Sequence, residues 1–505
     1  MGKNGIDRRD FLRGVSAAGV TAGLLGMSGR KAAAAYPSPP GQSHVPPVIH
    51  NELLPPPHVS GAPGSEAFWA SVREAFILPR NYIHMNTGTT GSQPFFSINN
   101  LAVYNLYKSV DPRDWSANIA ADFPDLALPI GDRQKLVADT YGGAAAEMIL
   151  SYDTTDGLNL VFAGIPWNPG DRIVTTQLEH NAGNGPMAWA RDYRGVTLSL
   201  VDIPSKFVKS ITVPELLSWF EPALAAPLPM GAKQYLFFSE ITYKNGLRLP
   251  VKELAALGKS YGAYVAIDSA HAWGMLPVNV NDYGVDFMAG AGHKWLCGGP
   301  GTGILYVRNT GGNLPQFAMG NFFSYGNPFV APSVNYNNRN WPPAGRMQGR
   351  GETNVCALYA MTDSLKFFTQ VGIQNIYNRG VALGNYLKDR VAEKWGENAL
   401  WVQKNPDPRF ATFLTAFNPF KSKDDPAQFA TMNTAISKIL TTLASGDPKV
   451  YIRSITWRDK HTDPSDNRTA FRVSTHAMYN NYEQIDQMFE ALVAAVNASG
   501  LPQLP

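Results

Sequence analysis

The chain has 505 residues, 44% of them hydrophobic and 16% charged, with a formal net charge of +3. That composition belongs to a globular protein with a sizeable core and excludes a disordered one; without a long Lys/Arg run in the body, the mild positive balance excludes a nucleic-acid partner. Two cysteines, Cys297 and Cys356, give neither a disulfide framework nor a zinc spacing, and they read as unpaired thiols, with a single disulfide as the alternative.

Residues 1–35 read as an address. Arg8 and Arg9 precede Phe11 and Leu12 in "DRRDFLRG", a soft apolar run covers 15–27, and "AAAA" (32–35) follows Arg30 and Lys31. The run is too short to span a bilayer, so no stable membrane anchor is expected. The whole resembles a twin-arginine export signal, the alternative being a basic disordered terminus. The resemblance implies the Tat export machinery as a partner, cleavage near Ala35, and a folded, cofactor-loaded protein that works in the periplasm or is secreted.

Residues 36–80 form a Pro-rich arm and a first helix. Pro, Gly, Ser and His dominate 36–65, and "SEAFWASVREAF" (65–76) starts a helical pattern with Ser65 as N-cap. A large domain is expected over 81–345. It opens with "NYIHMNTGTTGSQP" (81–94), a short strand running into a glycine turn. "SYDTTDGLN" (151–159) is a turn that starts a helix. Strands are read at 171–180, 196–203, 234–241, 263–270 and 302–308, with a weaker one in "VDFMAGAGHK". Helices are read at 213–224 and 250–262. Apolar strands alternating with helices predict an α/β domain with a mainly parallel sheet covered on both faces. From 346 to 505 the pattern turns helical, then mixed, then helical, as in a smaller α+β domain.

Ligands of open α/β sheets bind at the carboxyl ends of strands. His180, Asp268, Glu240, Thr242 and Lys294 fall at such ends, and Thr154 and Thr155 fall where a helix N-terminus can take a phosphate. Singly, each has a plainer reading: a turn aspartate, a core histidine, an ordinary N-cap, a snorkelling lysine. Together they supply an amine, a carboxylate, a flat side chain and a phosphate cradle, which is what pyridoxal 5'-phosphate requires. The lysine forms a Schiff base, the carboxylate keeps the pyridine nitrogen protonated, and a flat group covers the ring.

"AIDSAHAWGMLPVNVNDYGVDFMAGAGHKWLCGGPGTGILYVR" (266–308) resembles the signature region of class V aminotransferases, which are fold type I pyridoxal-phosphate enzymes. The likeness extends over roughly 80–490. It implies Lys294 as the Schiff-base lysine, His293 as a phosphate ligand and Asp268 as the pyridinium partner. It also implies His271 beside the ring hydroxyl, His180 stacked on the ring, Thr154 and Thr155 at the phosphate, and Arg472 on a substrate carboxylate. A homodimer with sites near its interface follows from the same likeness. There are departures. Ala291 stands where the family often has Ser, Tyr243 where it has Asn or Ser, and "GRGETNV" (349–355), with Thr353, where it has the Gly-Thr that reaches a neighbouring subunit. No cysteine follows Cys356, which argues against a cysteine desulfurase and toward isopenicillin N epimerase-like and exported, pyoverdine-tailoring relatives. The expected activity is capture of an amino substrate, small molecule or peptide, followed by Cα deprotonation with Lys294 as proton shuttle. Transamination comes first. Epimerisation, racemisation or elimination, or a degenerate fold kept for binding, are the alternatives.

Overall fold

The computed structural model describes residues 48–205, 211–309, 347–348, 352–402, 404–405 and 407–505. The expected export signal therefore lies outside the described residues. The chain runs through α1 (Glu66–Arg73), β1 (Tyr82–His84), α2 (Phe95–Val110), α3 (Trp115–Asp122), α4 (Ile130–Tyr141), β2 (Met148–Ser151), α5 (Thr154–Gly164) and β3 (Arg172–Thr176). It continues with α6 (Asn181–Arg194), β4 (Thr197–Val201), α7 (Val213–Ala225), β5 (Gln234–Ser239), α8 (Val251–Ser260), β6 (Tyr264–Asp268), α9 (Val280–Tyr283), β7 (Phe287–Ala291) and β8 (Gly303–Val307). After these come α10 (Val355–Val371), α11 (Ile373–Trp395), β9 (Leu414–Phe417), α12 (Phe429–Ser445), β10 (Lys449–Tyr451), β11 (Arg453–Arg458), β12 (Asn467–Ser474) and α13 (Tyr482–Ala498).

The central sheet has the order β2-β8-β7-β6-β5-β3-β4. β4, β3, β5, β6 and β7 are parallel; β8 runs against β7 and β2 against β8. The inner strands are apolar on both faces because both are covered. Val174, Leu236, Phe238, Val265, Ile267 and Met288 meet Leu216 of α7 and Leu254 of α8 on one side. Their alternates Ile173, Tyr235, Phe237, Ala266, Phe287 and Ala289 meet Leu158 and Val161 of α5 and Met187 of α6 on the other. The strand ends read from the sequence overshoot by up to four residues, most at β3, where the run read to His180 stops at Thr176.

A second core joins α11, α12 and α13 to the antiparallel sheet β11-β12-β9. The N-terminal stretch reaches into it. β1 pairs in parallel with β10, and Ile83 and Met85 pack in this second core. In the other direction α10 packs against α2 and α4, where buried Arg133 meets Asp363 at 2.9 Å and Tyr104 donates to Asp363 at 2.7 Å. Ser65 caps α1 by accepting from the Phe68 amide. The described part of the arm is pinned to α2: the His50 and Leu54 amides donate to Asn99 and Asn100. Among the described residues no helix is long and apolar enough to cross a membrane.

Candidate active site

β5 lies on one side of β3 and β4 on the other, so the chain reverses direction across the sheet at β3. A crevice opens at the carboxyl ends of strands at such a point. Asp268 ends β6, His180 follows β3, and Lys294 stands three residues past β7.

Lys294 is partly buried in a turn held by the loop after β1. The Gly91 amide donates to His293 O at 2.8 Å, and a Cβ on Gly91 would stand 2.1 Å from Lys294 O, so only glycine allows the approach. Burial lowers the Lys294 ammonium to about 8; Asp268 opposes the shift, and Arg472 and Arg453 add to it. Asp268 is 4% exposed, and its Oδ1 accepts from the Ala270 amide at 2.9 Å. Burial raises its carboxyl, against the pull of Lys294.

Three histidines surround the pair, and hydrogen bonds fix two of their tautomers. His271 Nδ1 accepts from Trp295 Nε1 at 2.9 Å, which leaves the proton on Nε2, a buried atom without a partner. His180 caps α6, its Nδ1 accepting from the Ala182 amide at 3.1 Å, and Tyr243 stands edge-on to its ring at 4.7 Å. His180 is exposed. Partial desolvation, and then the charges of Lys294, Arg472, Arg453 and Lys244, lower it to about 4, so it is neutral at pH 7. His271 is pushed well down by burial and then by Lys294, Arg472, His180 and His293, which places all five groups in one electrostatic neighbourhood. His293 is lowered by burial and by Lys294, and its Nδ1 is buried without a partner.

Thr154 and Thr155 open α5. Asp153 accepts from the Asp156 amide at 2.7 Å, which leaves the threonine amides at the helix mouth. Thr154 Oγ1 is buried without a partner, and Thr155 is exposed. Arg472 on β12 is 1% exposed. Its Nη1 donates to Tyr243 O at 2.9 Å and its Nη2 to Asn86 Oδ1 at 3.3 Å and Thr89 Oγ1 at 3.0 Å; Nε is unpartnered. Burial, and then Arg453, lowers it to about 9.

Two strand-end candidates do other work. Glu240 accepts from Tyr283 at 2.5 Å and Ser269 at 3.1 Å, and Thr242 Oγ1 accepts from the Leu247 amide, so both hold the turn after β5. Thr353 is partly buried and its carbonyl accepts from the Val355 amide. Cys297 and Cys356 are free and buried.

The sequence reading passed over four residues here. Glu179 is buried, accepts from Thr176 and Ser239 at 2.6 Å each, and is raised by burial to about 7. Lys244 donates to Gln177 O at 2.9 Å and is lowered by burial to about 8. Trp295 sets the His271 tautomer, and Arg453 lies beside Arg472. The first three each adjoin a residue that was singled out (His180, Tyr243, Lys294); Arg453 is brought in only by strand register.

The site suits an anionic, aldehyde-bearing cofactor. An amine lowered to about 8 is coupled by charge to a buried carboxylate. Thr154 Oγ1, His293 Nδ1 and His271 Nε2 are buried polar atoms that need a partner, as such atoms in native proteins have. A lysine, a carboxylate and such a cradle at the carboxyl edge of a mainly parallel sheet define fold type I pyridoxal-phosphate enzymes.

The chain belongs to the class V aminotransferase family, whose model, Aminotransferase class-V, matches residues 129–488. It is similar to isopenicillin N epimerase of Streptomyces clavuligerus, at 26% identity over 66% of this chain and 81% of that protein. Among solved structures it is similar to the apo cysteine desulfurase of Thermococcus onnurineus NA1, with a TM-score of 0.64, 21% identity, and 85% of this chain and 98% of that one covered. It is also similar to a lysine-to-alanine mutant of C-DES with glycine covalently linked to its pyridoxal-phosphate cofactor (TM-score 0.64, 17% identity, coverage 85% and 99%). The cofactor of this family is pyridoxal phosphate.

Proposed function

We propose that the protein is a pyridoxal-phosphate enzyme that removes the Cα proton of an α-amino acid or of a peptide ending in one, and that it transaminates. The observation that carries the reading is that Lys294 and Asp268, at the ends of β7 and β6, act on each other by charge, while Thr154, His293 and His271 each hold a buried polar atom without a partner. When bound, pyridoxal phosphate supplies an electrophilic carbon and an electron-accepting ring.

The chain's own groups do the rest. The Lys294 amine, lowered to about 8, is partly unprotonated at neutral pH, so it can act as a nucleophile and later move a proton at the substrate Cα. Asp268 is the group to hold a proton on the pyridine nitrogen, and Lys294 beside it favours its charged form. His180, neutral at pH 7, would cover a flat ring at no cost in charge. Thr154, Thr155 and His293 would hold the phosphate, and His271 Nε2–H would be the donor for the ring oxygen. Arg472 grips the substrate carboxylate, its guanidinium aimed by Tyr243 O, Asn86 and Thr89.

Epimerisation is the second reading, favoured by the similarity to isopenicillin N epimerase. Cysteine desulfuration is disfavoured, since the chain has no cysteine after Cys356. The deciding experiment is turnover of L-amino acids in D₂O with chiral and keto-acid analysis. Keto acid formed with amino transfer supports transamination, and deuterated D-isomer supports epimerisation. Absence of Cα exchange with every amino acid, peptide and amine tried would leave the fold as a binding protein and refute the proposal.

The reading includes export through the Tat machinery, supported by the Arg8–Arg9 motif, and action as a homodimer on a secreted peptide or siderophore precursor, supported by family resemblance.

A further inference from the structure

Two arginines, not one, act by charge on Lys294. Arg453 on β11 and Arg472 on β12 are directly opposed in the antiparallel ladder, so their side chains leave the same face of the small sheet. They converge on one oxygen: Arg453 Nη1 and Arg472 Nη2 each donate to Thr89 Oγ1 at 3.0 Å. Both raise the cost of a charge on Lys294, and both act on Tyr243 and His180, so they look onto the same space.

Their remaining polar contacts, among the described residues, are neutral oxygens: Ser454 O for Arg453, and Tyr243 O and Asn86 Oδ1 for Arg472. Arg472 Nε is buried and unpartnered. Of the other buried arginines, Arg133 has Asp363 and Arg379 has Glu66. Arg172 is held by neutral oxygens of Gln234, Leu224 and Ala226 and is lowered by burial alone, whereas Arg472 is lowered by the neighbouring Arg453 as well. Two guanidinium groups held together without a carboxylate repel each other, and they are stabilised when anions arrive.

We infer that Arg453 is a specificity-determining residue, and that the substrate is an α-amino acid carrying a second acidic group a few bonds from the first. Arg472 takes the α-carboxylate of the proposed reaction and Arg453 the second anion; the inference rests on that reading for the α-carboxylate alone. Two cations match two anions, and a substrate with one carboxylate would leave Arg453 uncompensated beside it. Thr89, which both arginines touch, is the neutral group that yields to the incoming oxygens.

The test is calorimetric titration of the protein as isolated with glutarate and with its monoamide, glutaramate, neither of which has an amino group to react. Glutarate should bind at least about tenfold more tightly, the scale of one charge-assisted contact. Arg453→Gln should remove that advantage while leaving glutaramate within about twofold of the unmutated protein, by the same scale. Equal binding of the two probes to the unmutated protein would overturn the inference. So would an equal loss of both in Arg453→Gln, which would mean that the arginines share one carboxylate. The readout does not need turnover. An inactive protein that still prefers glutarate would count against the proposed reaction and leave the second-anion site standing.

Discussion

Arg472→Ala separates amino-acid chemistry from plain amine chemistry. The guanidinium has five N–H donors. In the free chain Tyr243 O, Asn86 Oδ1 and Thr89 Oγ1 occupy three of them, while Nε–H has no partner. A carboxylate can take Nε–H and replace Thr89 Oγ1 on Nη2, which gives a bidentate hold. Losing it should cost about 2–4 kcal/mol in kcat/KM, roughly 30- to 1000-fold. Arg472→Lys should recover little, because a point charge cannot reproduce the fork. The assay is kcat/KM for an amino acid and for its decarboxylated amine, in both variants and the unmutated protein. The loss should fall on the amino acid alone, with the visible spectrum of bound cofactor unchanged. Equal loss on both substrates would refute the assignment and make Arg472 a structural residue tying β12 to the loop after β1.

Asp268→Asn should keep the cofactor and lose most activity, since an amide cannot balance a protonated pyridine; near-normal rates would show that the residue only caps the Ala270 amide. Capture of pyridoxal phosphate by the apo-protein should speed up as pH rises through about 8, because Lys294 must lose its proton to attack and its folded-state value is lowered to there. A flat profile between pH 6.5 and 9, roughly the span over which such a group titrates, would contradict this. Replacing Arg8 and Arg9 together by lysine should stop export while keeping the charge, and normal amounts of the variant in the periplasm would remove the Tat reading.

Much of the central sheet was legible because it repeats one physical signal, the buried parallel strand followed by an amphipathic helix. β3, β5, β6 and α7 lie within a few residues of where apolar runs and caps put them. Residues at strand ends were legible for the same reason, since Asp268 and Lys294 break apolar runs at the edge where ligands bind. β2 was missed, being a four-residue strand that owes its place to antiparallel pairing with β8 rather than to any period of its own. Asn86 and Thr89 were missed as Arg472 contacts because the loop after β1 enters the site through β1–β10 pairing across more than 360 residues of chain. Glu240 shows the reverse failure. Its place after β5 resembles a ligand position, but Tyr283 and Ser269 occupy its carboxylate. Arg453 could not be read at all, since one arginine in "YIRSITWR" means nothing until register sets it opposite Arg472.

The most direct test of the account is to reduce the cofactor-loaded protein with borohydride and map the labelled peptide by mass spectrometry. The account predicts a single phosphopyridoxyl group on Lys294, absent from a folded Lys294→Ala protein. A label that persists in Lys294→Ala, or that maps to Lys244 instead, would contradict it.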